Sequence, residues 1–198
     1  MKSAIIASLV ASAAAFAPVS QKASSTSLKA FENELGAQPP LGFYDPLGLV
    51  ADGDQAKFDR LRGVELKHGR ISQLAFLGYL TTWSGVRLPG MLSNSEGIAF
   101  ADVPGGHEAV FKVPTAGLLQ ILAFCGFLEL AGWKQADGSY PGDFSASSFP
   151  VGFLGTPSAE EELELRAKEL NQGRAAMMGI LGCMVHEQLD GKPFIFFG

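Results

Sequence analysis

The chain has 198 residues, and its 15 lysines and arginines against 20 aspartates and glutamates give a net charge of −5 at pH 7. An acidic chain does not neutralise phosphates, which argues against nucleic-acid binding. The 24 glycines, the 15 phenylalanines and a mean hydropathy of +0.19 suit a small membrane bundle rather than a soluble domain, because small residues let helices approach closely.

The N-terminus predicts two successive targeting segments. Lys2, the apolar stretch 4–10 and the small residues 11–15 form the three-part pattern of a signal peptide, residues 1–15. Residues 16–29 contain serines and lysines but no acid, as in a plastid transit peptide. The junction at 13–18, AAAFAP, resembles that of plastid proteins in diatoms and related algae. For these residues alone, a secreted protein with a polar N-terminus is the alternative.

Three segments predict helices, at about 57–84, 113–133 and 158–188. The middle one contains a single charged residue, Glu129, and its 21 residues are enough to cross a bilayer. The first and third segments have shorter charge-free runs, 71–86 and 175–185. Each is long enough to cross a bilayer only if the helix also includes the charged residues before that run. By length alone, either could be a buried helix of a soluble protein. The connecting segments 87–112 and 134–158 are rich in Gly, Pro, Ser and Asp and predict loops.

An internal repeat relates the first and third segments, with an offset of 104 residues. Residues 61–80 and 165–184 are identical at eight of twenty positions, and both contain the pattern Glu-Leu-x-x-Gly-Arg. Low complexity explains repeated Leu and Gly, but it does not readily give two charged residues at the same spacing. We therefore treat the repeat as real.

The repeated charges predict reciprocal ion pairs between the two helices. With one span between them, the repeats cross the membrane in the same direction, about an axis along its normal. Across that axis Glu65 can pair with Arg174, and Glu169 with Arg70, since charges at membrane depth need partners. The alternative is that these are interfacial charges whose side chains reach to water.

The polar residues within the spans are nearly all side chains that can act as an axial metal ligand. Mg²⁺ accepts hard oxygen donors, and in a chlorin the ring already supplies four nitrogens, so one further lone pair is enough. An ordinary hydrogen-bonding role is the alternative for each single His or Gln. No Cys/His cluster has transition-metal spacing. The candidates are Glu65, His68, Glu169, Gln172, His186, Gln120 and Glu129.

The motifs resemble a known family. Glu65-Leu-Lys-His68-Gly-Arg70 and Glu169-Leu-Asn-Gln172-Gly-Arg174-Ala-Ala-Met resemble the paired signatures of the chlorophyll a/b- and a/c-binding superfamily. The segments FYDPLG at 43–48 and MVHEQ at 184–188 resemble its fucoxanthin branch. The resemblance covers residues 30–198. It implies an all-α membrane protein with three transmembrane helices, in which the first and third cross, are related by pseudo-two-fold symmetry and are locked by the two ion pairs.

The resemblance also implies the pigment ligands. Each of Glu65, His68, Glu169, Gln172 and His186 is expected to bind one chlorophyll magnesium, the only metal expected. Gln120 and Glu129 in the middle helix are tentative, since that spacing varies in the superfamily. One departure concerns position 172, where many relatives carry Asn, whereas here Asn171 precedes a Gln. The implied cofactors are chlorophyll a, chlorophyll c and fucoxanthin, with diadinoxanthin as a further candidate.

The implied function is light harvesting in the plastid thylakoid membrane, not catalysis. No Ser/His/Asp set and no phosphate-binding glycine loop is visible. The expected partners are photosystem I or II cores, other antenna subunits and thylakoid lipids, in a homo- or hetero-oligomer. Two alternatives stay open: a photoprotective, energy-dissipating member of the same family, and a small membrane transporter or assembly factor.

Overall fold

The computed structural model describes residues 30–136, 138–144 and 158–192. The predicted signal peptide 1–15 and transit peptide 16–29 lie outside these residues, as does most of the predicted loop 134–158. Within the described ranges the chain is mainly helical, with one short hairpin.

The first long helix, α1, runs over Gln55–Trp83, close to the predicted 57–84. It begins after Asp54, whose side chain accepts hydrogen bonds from the amides of Ala56 and Lys57 and so satisfies two of the unpaired N–H groups of the first turn. It ends at Ser84, next to Gly85 at φ +82°. At 1.5 Å per residue, its 29 residues extend over about 43 Å.

The segment after α1 is more structured than the loop predicted at 87–112. It contains the antiparallel strands β1 (Met91–Ser93) and β2 (Ile98–Ala99), a 3₁₀ turn at Phe100–Asp102 and the short helix α2 (Glu108–Lys112). Strands of two and three residues are too short to show an alternating hydrophobic pattern, so the sequence could not distinguish them from a loop.

The middle helix, α3, covers Thr115–Phe127 and continues as a π-helical turn through Leu128–Gly132. No side chain of Thr115–Phe127 is buried. Among the described residues, only Thr115–Gly132 combines the length and the apolar character of a membrane span, with a mean hydropathy of 1.6 over 18 residues. Its exposed apolar surface needs a cover that the described chain does not provide.

The last helix, α4, is the longest, at Ala159–Asp190. Ser158 forms a capping box with Glu161, in which each side chain binds the other residue's backbone N–H. Gly191, at φ +62°, terminates the helix in the left-handed conformation that glycine adopts most readily. Its 32 residues extend over about 48 Å.

Helix α1 packs chiefly against α4. The two backbones approach each other closely at Gly69 and Gly173, both of which are buried. A second packing centre joins the N-terminal segment to the start of α1, where the ring of Phe31 stacks on that of Phe58 with centroids 4.4 Å apart. Phe31 is 1% exposed, and burying such a ring stabilises the fold by about 1.5–3 kcal/mol.

Candidate functional site

Two reciprocal ion pairs connect α1 to α4. Arg174 Nε lies 2.7 Å from Glu65 Oε1, and Arg70 Nε lies 2.6 Å from Glu169 Oε1. These are the pairs that the repeat predicts. In each pair the carboxylate comes from one helix and the guanidinium from the other, so each carboxylate is neutralised and both contacts hold the crossing together.

Each of these arginines also binds the chain segment that precedes one of the helices. Arg174 Nη1 donates to the carbonyl of Gly36, and Arg70 Nη1 donates to the carbonyl of Gly142, both at 2.9 Å. The two glycines have φ angles of +100° and +87°, a region that favours glycine. Each arginine therefore ties a loop to the crossing. The amino-acid sequence carries no signal for these contacts, because the acceptors are backbone carbonyls.

Glu65 has a second cationic neighbour. Arg62, one turn earlier in α1, donates from Nη1 to Glu65 Oε2 at 2.6 Å. The repeat does not extend to this contact: Arg166, the equivalent of Arg62, hydrogen-bonds to Glu162 instead. Glu65 thus lies between two guanidinium groups, whereas the described residues place only Arg70 against Glu169.

His68 is exposed on α1, and its ring orientation is set by the backbone. Nδ1 lies 2.8 Å from the carbonyl oxygen of Val64. A carbonyl only accepts, so Nδ1 carries the proton and Nε2 carries the lone pair. Fixing one ring nitrogen in this way is how proteins present the other nitrogen to a metal.

Gln172 is exposed on α4, and none of the hydrogen bonds found among the described residues involves its side chain. The preceding residue, Asn171, donates from Nδ2 to the side-chain oxygen of Gln38 in the N-terminal segment. Asn171 is therefore occupied with fixing a loop, and Gln172 has the register of His68 in the repeat. Of these two amide side chains, Gln172 is the one that none of the hydrogen bonds found among the described residues occupies.

The surroundings of His186 are less suited to metal binding. Its Nε2 lies 3.2 Å from Asp190 Oδ2, one turn later, and its Nδ1 is buried. A metal at Nε2 would have to displace the aspartate. Of the predicted ligands on α1 and α4, this is the one whose surroundings in the protein fit a metal least well.

Next to His186, the structure contains a buried carboxylate that the sequence analysis did not single out. Glu187 is 4% exposed, and its Oε1 accepts from the backbone N–H of His107 at 3.0 Å and lies 2.7 Å from His107 Nδ1. His107 Nε2 in turn lies 2.7 Å from Gln188 Nε2. His107, expected to lie in a loop, is therefore the residue by which the start of α2 docks on the end of α4.

The two middle-helix candidates differ from each other. Gln120 on α3 is exposed, and none of the hydrogen bonds found in the described part of the chain reaches its side chain. Glu129 lies in the π-helical turn, and its Oε2 is 2.5 Å from Lys67 Nζ on α1. No sequence pattern linked these two charges, which are 62 positions apart.

Two cavities flank the crossing of α1 and α4. One, of about 440 Å³, has Glu169 in its wall together with apolar residues such as Leu66 and Leu163. The other, of about 390 Å³, is lined by Glu65 and Arg174 together with loop residues around Pro39 and Tyr44. Each neutralised carboxylate therefore borders a space in which a ligand can lie.

The donors fit a magnesium chlorin better than a bare metal ion. Within the residues that the structure describes, no group of three or more His, Cys, Asp or Glu side chains can hold a metal. The candidates are instead single donors spread over the helices, of which His68, Gln120, Glu129 and Gln172 are exposed. The most exposed large apolar side chains of α1 and α3 are Ile71, Leu74, Leu77, Leu119, Leu122, Phe124 and Leu130. A flat, apolar ring that needs one axial ligand matches this chemistry.

Comparison with known proteins gives one family. The model of the family described as "Chlorophyll A-B binding protein" matches residues 31–188. The chain is 59% identical to fucoxanthin-chlorophyll a-c binding protein F of Phaeodactylum tricornutum over 194 residues, 96% of each chain. It is 52% identical to protein B of the same description from Macrocystis pyrifera over 206 residues, 98% of this chain and 94% of that protein. The chain therefore belongs to the chlorophyll a/b-binding protein family.

Proposed function

We propose that this chain is a light-harvesting antenna protein that binds chlorophyll a, chlorophyll c and fucoxanthin and passes excitation energy to a photosystem. Members of its family are pigment-binding proteins rather than enzymes. The observation that carries the proposal is the pair of neutralised carboxylates, Glu65 with Arg174 and Glu169 with Arg70. Such a pair keeps carboxylate lone pairs available for a metal and avoids an uncompensated charge at membrane depth.

In the plastid thylakoid membrane, the proposed arrangement has three crossings, by α1, by α3 with its π-helical turn, and by α4. The lengths of about 43 and 48 Å for α1 and α4 exceed the roughly 30 Å of hydrocarbon, which leaves their charged ends at the interfaces. The reciprocal ion pairs and the matching arginine contacts to Gly36 and Gly142 support a pseudo-two-fold axis between the two helices.

The proposed magnesium ligands are those predicted from the sequence, now ranked by their surroundings. Glu65 and Glu169 are neutralised, His68 presents Nε2, and Gln172 is exposed. His186 would first have to release Asp190. In the middle helix, Gln120 and Glu129 complete the set.

The chain's own contribution is to position the pigments. When bound, the chlorophylls and carotenoids absorb light and transfer excitation among themselves. The ion pairs fix the separation and angle of α1 and α4, so ligands on one helix stand at set distances from those on the other. Single donors such as His68 set the depth of a chlorophyll ring in the membrane, and the apolar side chains around these donors exclude water.

The same proposal includes the parts of the chain that the described residues do not cover. A signal peptide at 1–15 and a transit peptide at 16–29 would be removed, so that the antenna domain begins near Ala30. Terminal sequencing of the plastid protein would show an intact Met1 if this were wrong. The proposed partners are photosystem cores, other antenna subunits and thylakoid lipids.

Purification from thylakoids in mild detergent, followed by fluorescence excitation spectroscopy, tests the function. Excitation of chlorophyll c or fucoxanthin should produce fluorescence from chlorophyll a, because the absorbed energy is transferred to chlorophyll a. A variant with Glu65→Leu and Glu169→Leu, reconstituted with the same pigments, should lose at least two chlorophylls per chain. Glu164→Leu is the matched control, because the one ion pair of Glu164 found among the described residues is an exposed pair with Lys168 on α4.

Two results would contradict the proposal. A purified chain free of pigment would favour a transporter or an assembly factor. Energy transfer followed by strongly quenched chlorophyll a emission in the isolated protein would instead identify the photoprotective member of the family.

A further inference from the structure

A third inter-helix ion pair connects α1 to the middle helix. Lys67 Nζ lies 2.5 Å from Glu129 Oε2. Lys67 is placed between Glu65 and His68 in the sequence, but it points to a different side of α1, since successive residues are about 100° apart around a helix. The side chains of Lys67 and Glu129 are 44% and 53% exposed in the protein alone.

The position of Glu129 makes this pair unusual. Glu129 is the only charged residue of Thr115–Gly132, the most apolar helix among the described residues. A lone carboxylate there would be costly, and the ammonium group of Lys67 neutralises it. About half of each side chain is still exposed, so another group must cover the ion pair inside a membrane.

Two further observations indicate a ligand rather than a mere helix contact. Lys67 engages only Oε2, and none of the hydrogen bonds found among the described residues reaches Oε1. Glu129 also lies in a π-helical turn, where the Trp133 amide donates to the Leu128 carbonyl five residues earlier at 2.7 Å. Such turns interrupt the α-helical register and are frequent at functional sites.

We propose that Lys67 is a positioning residue that neutralises and orients Glu129, so that Glu129 binds a chlorophyll magnesium through Oε1. This inference rests on the proposed pigment-binding function. It gives the middle helix the same chemistry as the crossing of α1 and α4, where Arg174 and Arg70 neutralise Glu65 and Glu169. The difference is that a lysine supplies the charge, and that it comes from the helix that also carries Glu65 and His68.

The test is reconstitution of the full chain with pigments, measuring chlorophyll per protein and the thermal unfolding midpoint by circular dichroism. Lys67→Leu should lose one chlorophyll, because the unpaired carboxylate no longer holds its orientation, whereas Lys67→Arg should keep it. A neutral amide needs no counter-ion. The double variant Lys67→Leu with Glu129→Gln should therefore regain the chlorophyll that Lys67→Leu loses.

A charge exchange separates the ligand role from the helix contact. Lys67→Glu combined with Glu129→Lys should restore the unfolding midpoint but not the chlorophyll, since an ammonium group has no lone pair for magnesium. Lys168→Leu is the control and should lose no pigment, because within the described ranges Lys168 forms an ion pair with Glu164 alone, on an exposed face of α4.

Three results would overturn the inference: full chlorophyll content in Lys67→Leu, no recovery in the double variant with Glu129→Gln, or full content in Glu129→Leu. Each would leave the proposed function intact, because that function is tested separately at Glu65 and Glu169.

Discussion

Gly69 and Gly173 face each other where α1 and α4 cross, so closely that a Cβ atom added to Gly69 would lie 3.0 Å from the Cα atom of Gly173. The obstacle is backbone, which cannot turn aside as a flexible side chain would. Each glycine directly precedes the arginine of an ion pair, Arg70 or Arg174. The close approach of the backbones is therefore what brings each arginine within reach of the glutamate on the other helix.

The first prediction follows from that contact. Gly173→Ala should force the helices apart by a few tenths of an ångström and destabilise the protein by about 1–3 kcal/mol, the usual cost of overpacking a core. The measurement is the thermal unfolding midpoint of the reconstituted protein.

Gly182→Ala, in the same helix, is the control for this prediction. A Cβ atom there meets nothing within 4 Å, so the change should be neutral or slightly stabilising, as alanine is the better helix former. Equal midpoints for the two variants would show that the glycine contact does not limit the approach of the helices.

The second prediction concerns the contact between His107 and Glu187. Gly106 has a φ of +73°, and a Cβ atom added there would overlap the carboxylate of Glu187. Gly106→Ala should therefore displace the start of α2 from the end of α4. Hydrogen exchange of the backbone amides at 106–110 should become faster by at least tenfold.

Gly97→Ala is the matched control for the loop. Gly97 has a similar φ of +67°, but nothing lies within 4 Å of an added Cβ atom. Both substitutions carry the conformational cost of about 1–2 kcal/mol for a left-handed alanine, and only Gly106→Ala adds the overlap. If Gly97→Ala speeds exchange at 106–110 as much as Gly106→Ala does, backbone strain rather than the Glu187 contact explains the effect.

The framework of α1 and α4 could be predicted because its signals are local or repeated. Ser158 with three following glutamates marks the start of α4, and the twin charged motifs specify the partners Glu65 with Arg174 and Glu169 with Arg70. A charge that must be neutralised in an apolar environment leaves few choices of partner. Repetition of the charge at the same spacing then selects among them.

Other contacts had no such signal. Lys67 and Glu129 lie in segments without a shared motif, and their pairing depends on the position of α3 relative to α1. Arginine contacts to the carbonyls of Gly36 and Gly142 involve backbone atoms, which every residue carries. Glu187 also resembled an ordinary helix residue in sequence, because only the fold of the segment 87–112 buries it.

The third prediction tests the imidazole ligand. His68→Leu should remove one chlorophyll per chain and leave the bundle assembled, because His68 takes no part in the ion pairs and its only hydrogen bond found among the described residues is with Val64 of its own helix. His68→Gln should retain the chlorophyll, since an amide oxygen also offers a lone pair. An unchanged chlorophyll-to-protein ratio in His68→Leu would mean that this histidine only stabilises its own helix.

The last prediction concerns the pair Glu65 and Arg174. Arg174→Leu leaves Glu65 with Arg62 but without its partner across the crossing, and it also removes the hydrogen bond to the Gly36 carbonyl. Removing one partner of a buried ion pair costs on the order of 3–5 kcal/mol. Because both side chains here are about a third exposed in the protein alone, we expect the lower end of that range. Folding yield and chlorophyll content should both fall.

A double-mutant cycle separates the pair from the loop contact. Glu65→Leu with Arg174→Leu should recover part of the unfolding free energy that Arg174→Leu loses, because no carboxylate then remains at the crossing without its partner from α4. It should not recover the chlorophyll that Glu65 is proposed to bind, nor the contact to Gly36. Residues in direct contact give coupling energies of roughly 0.5–3 kcal/mol in such cycles. Strictly additive effects of the two single changes would mean that the 2.7 Å contact contributes nothing to the stability of the crossing. The reciprocal cycle with Glu169 and Arg70 should show a coupling energy of the same kind.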